Sequence, residues 1–163
     1  MIIPIVIISA ILLFFYFGTK SSNKAIENQY KFIAESLKDE IELYIEQTKS
    51  STMTIGLGNQ NFLFNRCDLY LTQNALIIFG FTKNSFFKQL SFPIIITKDL
   101  EEFSNRFPFA YVRKANEVSF KNSIVAISFG EKGITKTEVA LKLKSLDSSE
   151  INKLKELVNQ NSW

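Results

Sequence analysis

TEVALKLKSLDSSEINKLKELVNQ, Thr137 to Gln160, sets a strand beside a helix. In its first half Val139, Leu141 and Leu143 alternate with Glu138, Ala140, Lys142 and Lys144, the period of a strand with one wet face. From Leu146 the period lengthens: Asp147 stands at an N-cap position, Glu150 at N3, and Leu146 and Ile151 where a hydrophobic staple closes. Ile151, Leu154, Leu157 and Val158 then form an apolar stripe that has to lie on something. A sheet is the partner the rest of the chain offers.

Strand-like runs precede it at Thr52 to Leu57, Leu63 to Leu71, Ala75 to Phe81, Phe86 to Thr97, Ala110 to Phe120 and Ser123 to Phe129, and Lys136 to Lys144 completes the series. They are rich in Ile, Phe, Val, Tyr and Thr, and polar or glycine-containing turns such as TQN, TKNS and GEKG separate them. About seven short strands predict a barrel or a sandwich. Pro93, inside SFPIIIT, removes a ladder donor and marks an edge or bulge. DLEEFSNRFP, Asp99 to Pro108, reads as a short helix, with Asp99 and Glu102 as a capping box.

Before Ser50 the period is helical: Ile26, Tyr30, Ile33, Leu37, Ile41 and Tyr44 follow one another at intervals of three or four, with Glu27 and Lys31 placed as an i,i+4 pair. This seam predicts an amphipathic helix over 20–49 that packs on the domain behind it or meets another copy as a short coiled coil. Ahead of it, IIPIVIISAILLFFYFGTK, Ile2 to Lys20, contains no charge before Lys20 and no small-residue cleavage site. Eighteen residues of helix would span roughly 27 Å, which predicts a retained transmembrane anchor over 1–19. Lys20, Lys24 and Lys31 follow the span and no Lys or Arg precedes it. That asymmetry predicts a single-pass protein of the cell membrane, its N-terminus outside and its domain, 50–163, in the cytoplasm.

Composition narrows the chemistry. The chain of 163 residues has no His and one Cys, Cys67, so the commonest general base is absent and one chain cannot form a disulfide or a Cys cluster for zinc. Cys67 reads as a small buried hydrophobe. Nineteen basic and sixteen acidic residues give +3 without a long run of one sign, which does not point to nucleic acid.

CDLYLTQNALIIF, Cys67 to Phe79, resembles the GRAM and bacterial PH-like pattern of a strand that ends in Tyr-x-Thr and turns through polar residues into a strand of Leu and Ile, and SFPIIIT resembles the strand that follows. With the capped terminal helix, the resemblance to the pleckstrin-homology superfold covers roughly Ser50 to Gln160. It implies an α+β architecture: a half-open antiparallel barrel of about seven strands, plugged by the C-terminal helix, that binds proteins or lipids and carries no catalytic residues. Phosphoinositide-binding members place several Lys or Arg around the first hairpin, where this chain has Arg66 alone.

Other motifs give little. GLGNQN, Gly56 to Asn61, lacks the third glycine and the helix of a dinucleotide fingerprint, and in GEKGITKT, Gly130 to Thr137, Lys136 does not follow a glycine. The neighbouring carboxylates Asp39 and Glu40, and Glu101 and Glu102, would point about 100° apart on a helix. The expectation is an interaction or scaffolding module without catalysis, cofactor or metal, with the membrane and an unidentified protein as partners. A lipid-sensing module is the first alternative, its contact formed by Lys83, Phe86, Phe87 and Lys88 in FTKNSFFKQ, and an enzyme of unknown type is the second.

Overall fold

The computed structural model describes residues 2–55, 62–83, 88–131 and 136–161, with side chains from 18 to 160. In chain order the elements are α1 (Ile2–Ser36), β1 (Ile41–Ile55), β2 (Arg66–Thr72), β3 (Ala75–Lys83), β4 (Lys88–Leu90), β5 (Ile94–Thr97), α2 (Leu100–Arg106), β6 (Tyr111–Arg113), β7 (Ala115–Lys121), β8 (Ile124–Gly130), β9 (Glu138–Lys144) and α3 (Ser148–Asn161). The strands form one sheet in the order β6-β5-β3-β2-β1-β9-β8-β7, and β4 pairs with β3 off this path.

The sheet is mixed and has nine strands, which corrects the half-open antiparallel barrel of about seven. Two runs that read as single strands are each divided. Pro93 has no N–H to continue the ladder, so β4 and β5 separate around it. Lys114 alone divides β6 from β7, which lie at opposite ends of the strand order. α2 carries the chain over from β5 to β6, and a crossover of this kind returns the second strand parallel to the first.

β1 joins the two parts of the sheet. Its pairs with β2 run from Ile41 opposite Thr72 to Lys49 opposite Arg66, and its pairs with β9 run from Lys49 opposite Lys144 to Ile55 opposite Glu138. Between Ile45 and Thr48 the register shifts, and Gln47 adopts a φ of 50°. The Gln47 amide donates to Asp68 Oδ1 at 2.8 Å and its carbonyl accepts from Arg66 Nη1 at 3.3 Å, so neighbouring side chains satisfy the groups that the bulge takes out of the ladder.

Alternation along the strands divides the apolar side chains between two cores. Leu76 and Ile78 of β3, Ile94 and Ile96 of β5, Leu69 of β2, Ile127 of β8 and Leu141 of β9 face inward with Ile151, Leu154 and Leu157 of α3. Ala75, Ile77, Phe79 and Ile95 face the other way, where Ile33 of α1, Leu37, and Phe103 and Phe107 cover them. β3 and β5 are therefore apolar on both faces, as ALIIF and IIIT require. The start of α3 has its expected chemistry: Glu150 N donates to Asp147 Oδ1 at 2.8 Å, and Asp147 N donates back to Glu150 Oε2 at 2.7 Å. At α2, Asp99 makes no side-chain cap, so the expected box with Glu102 is not formed.

The N-terminal expectations change most. α1 runs to Ser36 and the chain enters β1 at Ile41, so the predicted linker helix over 20–49 ends early and Ile41 to Ser50 are strand. The cause is visible in IELYIE, where Ile41, Leu43 and Ile45 alternate with Glu42, Tyr44 and Glu46, a period-two pattern that prevails once β2 is there to pair with it. α1 itself passes Gly18 without a break and carries Lys20, Lys24, Glu27, Lys31 and Glu35 before it ends, with Ile26 and Ile33 buried. Among the described residues no helix is long and apolar enough to cross a membrane. This overturns the expected single-pass anchor, and with it the expected placement in the cell membrane with the domain in the cytoplasm. The side chains of 1–17, on which that reading rested, lie outside the described residues.

Cys67 is fully buried in the inner core. Burial pushes its thiol up to about 12, against the Ser50 hydroxyl, which favours the thiolate. Alkylation of the native chain at pH 8 is expected to run on the order of a thousandfold slower than that of the urea-unfolded chain. Rates within tenfold of each other would show that the site opens readily.

Candidate functional site

A cleft of about 480 Å³ lies between α1 and the β3–β4 hairpin, lined by Ser22 and Ile26 of α1, Thr82 of β3, Gln89 and Leu90 of β4, and by Leu63, Ser91 and Phe92. Its walls follow from local chemistry. Asn23 places its side-chain amide against the outer edge of β4, donating from Nδ2 to Lys88 O at 2.6 Å and accepting from Leu90 N at 3.0 Å at Oδ1. The amide thus takes the place of one residue of a neighbouring strand, and it satisfies edge groups that would otherwise be open.

About two helical turns further on, Tyr30 stacks on Phe79 with ring centroids 4.1 Å apart. Its hydroxyl donates to the carbonyls of Gly80, at 2.8 Å, and Ser91, at 2.5 Å, with one proton shared between them. Burial, ahead of the charge on Asp68, drives the Tyr30 hydroxyl far above its ordinary pKa, so it stays a donor. Gly80 is required here for space: a Cβ on it would sit 2.4 Å from the Phe64 ring, which packs on the bare backbone. Thr82 Oγ1 donates to Leu63 O at 3.1 Å and holds the segment that presents Leu63, a residue 57% exposed.

The residues expected to meet lipid divide. Lys83 and Lys88 face one another in register at the outer end of the β3–β4 pair, near the cleft, and Lys88 Nζ lies 4.5 Å from the Phe81 ring centroid. Phe86 and Phe87 lie outside the described residues, as do Gly56 to Asn61 and the middle of GEKGITKT. Asn23, Tyr30 and Leu63 were not singled out from the sequence. Asn23 and Tyr30 act on backbone about sixty residues away, and no local pattern announces that.

A second recess, of about 300 Å³, gathers Asp39, Glu40 and Glu42 near Thr72 and Asn74. Glu40 is already paired, at 2.8 Å, with Arg106, which also donates to the Ser36 carbonyl. Among the described residues no group of three or more His, Cys, Asp or Glu is placed to hold a metal ion.

No family model, no curated protein and no solved structure matches this chain, and none of the comparisons identifies it as a pleckstrin-homology-like domain.

Proposed function

We propose that the chain is a non-catalytic interaction module whose cleft between α1 and the β3–β4 hairpin takes an apolar side chain of a partner polypeptide. One observation carries the reading: none of the eight described residues lining the cleft is titratable, while Ile26, Leu63, Leu90 and Phe92 supply apolar surface and Ser22, Thr82, Gln89 and Ser91 supply polar groups around it. Such walls can bind and orient a peptide, but they offer no nucleophile with a base beside it. The hairpin is braced by Asn23 and Tyr30, so little ordering has to accompany binding.

A displayed peptide library panned against the full chain tests this. Enriched peptides are expected to share an apolar anchor and to bind Leu63→Asp at least about tenfold more weakly, with little change in melting temperature because Leu63 is exposed. Peptides that bind this variant as well as the wild type, or a library that yields none, would remove the cleft from consideration.

A further inference from the structure

A second surface carries an inference of its own, independent of the cleft. The outer face of β1, β9, β8 and β7 is the side opposite the inner core, since Val139, Leu141, Leu143, Val125 and Ile127 point inward and their neighbours point out. The register sets Arg66 beside Lys49, Lys49 beside Lys144, Lys144 beside Ile124 and Ile124 beside Lys121. This is one row across five strands, roughly 19 Å long at the usual strand spacing, with Lys142 two residues along β9 on the same face. The four lysines are exposed, and none of them makes an ion pair among the described residues.

Such a row opposes folding. Lys49 and Lys144 are directly opposite one another, and like charges in that relation destabilise a sheet. The nearest carboxylate along β2, Asp68, already accepts the Gln47 amide, and Glu138 and Glu117 lie toward the other end of the face. Beside the cations the same face presents Met53, 60% exposed, and Ile55, 50% exposed, over the small side chains of Ala140 and Ser128.

We propose that this face binds an acidic polypeptide segment that lies across the strands, its carboxylates over Lys49, Lys144, Lys121 and Arg66 and its apolar side chains against Met53 and Ile55. About six extended residues would cover the row. The mixture of charge and apolar contact decides the chemistry of the partner. Single-stranded nucleic acid would call for aromatic rings to stack its bases, and the outward positions from Lys49 to Ile55 and across β9, β8 and β7 include none.

The test is fluorescence anisotropy of the full chain with a short labelled peptide of Glu and Leu, and separately with a labelled oligo-dT, at about 50 and 300 mM salt. The peptide is expected to bind, more weakly at the higher salt. Lys144→Glu is expected to weaken it at least about tenfold. That variant sets a carboxylate opposite Lys49 and relieves the repulsion, so its melting temperature should equal or exceed that of the wild type and loss of binding cannot be put down to unfolding. Met53→Ser should weaken the peptide further at high salt. Undiminished binding to Lys144→Glu, no peptide binding at all, or binding of oligo-dT with the peptide excluded would each overturn the proposal.

Discussion

A chain that begins at Ser50 is expected not to fold. Every pair that β1 makes with β2 lies between Ile41 and Lys49, so this cut removes the whole ladder between the two strands and leaves only the pairs with β9. It also removes Ile33, Leu37 and Ile45 from the two cores and uncovers Ile77, Phe79 and Ile95 on the far face of the sheet. Three buried aliphatic side chains contribute about 5 to 9 kcal/mol at ordinary transfer values, comparable to the entire stability of a domain this size. The truncated protein should show no cooperative thermal transition and no near-ultraviolet circular dichroism, whereas a chain that begins at Gly18 keeps every contact just named and should melt cooperatively. A sharp melt from the Ser50 chain would show that α1 and the first half of β1 are accessory.

Leu154→Asp is the second substitution expected to be severe. Leu154 is 1% exposed, in the middle of α3, and joins Ile151 and Leu157 in the inner core. A carboxylate there would be buried without a partner, at a cost of about 3 to 5 kcal/mol, which corresponds to a melting temperature roughly 10 °C lower or more. The sign of the pH dependence follows. Burial raises the folded-state pKa of the introduced Asp above its unfolded value, so the deficit is largest at neutral pH and shrinks as the pH falls and the group takes up its proton. Leu154→Met, which keeps volume and polarity, should stay within about 1.5 kcal/mol of the wild type. An Asp variant that melts within a degree or two of the wild type would mean that α3 does not seal the inner core.

What could be read from the sequence was what neighbouring residues decide between themselves. The start of α3 is one case, since Asp147 and Glu150 need only each other to form the cap. The strand read at Lys136 to Lys144, observed as Glu138–Lys144, is another, because alternation alone sorts its faces. The seam from Ile26 to Leu37 belongs here as well: it packs against the sheet, one of the two readings that the spacing left open. It failed from Ile41 onward, where Ile41 and Tyr44 also fit a helical seam and only distant pairing partners settle the matter. The hydrophobic N-terminal run was judged by length and flanks, and those criteria do not register that the same helix goes on through five charged residues to pack on a sheet.

The candidate surfaces were less legible than the fold. Lys83 and Lys88 were noticed because they are close in sequence, but the cleft near them depends on Asn23 and Tyr30 reaching far along the chain. The lysine row is absent from any linear reading. Lys49, Lys121 and Lys144 become neighbours only through strand register, and the modest net charge of +3 conceals them.

The division of labour within β1 bears on how the molecule assembles. The strands before Lys114 and those after it form two leaves that share the inner core, and among the described residues two backbone links join them: the strand β1, hydrogen bonded to β2 by its first half and to β9 by its second, and the single residue Lys114, which leads from one end of the strand order to the other. Each leaf contains hairpins that close over short distances, but the pairing of Lys49 with Lys144 joins residues almost a hundred positions apart. Left to a free coil, that encounter would carry the loop-closure entropy of a long segment and slow the folding rate accordingly. With the leaves already tethered at Lys114, the search becomes the swing of a hinge, and the effective concentration of one leaf at the other is set by one residue instead of by the whole intervening chain.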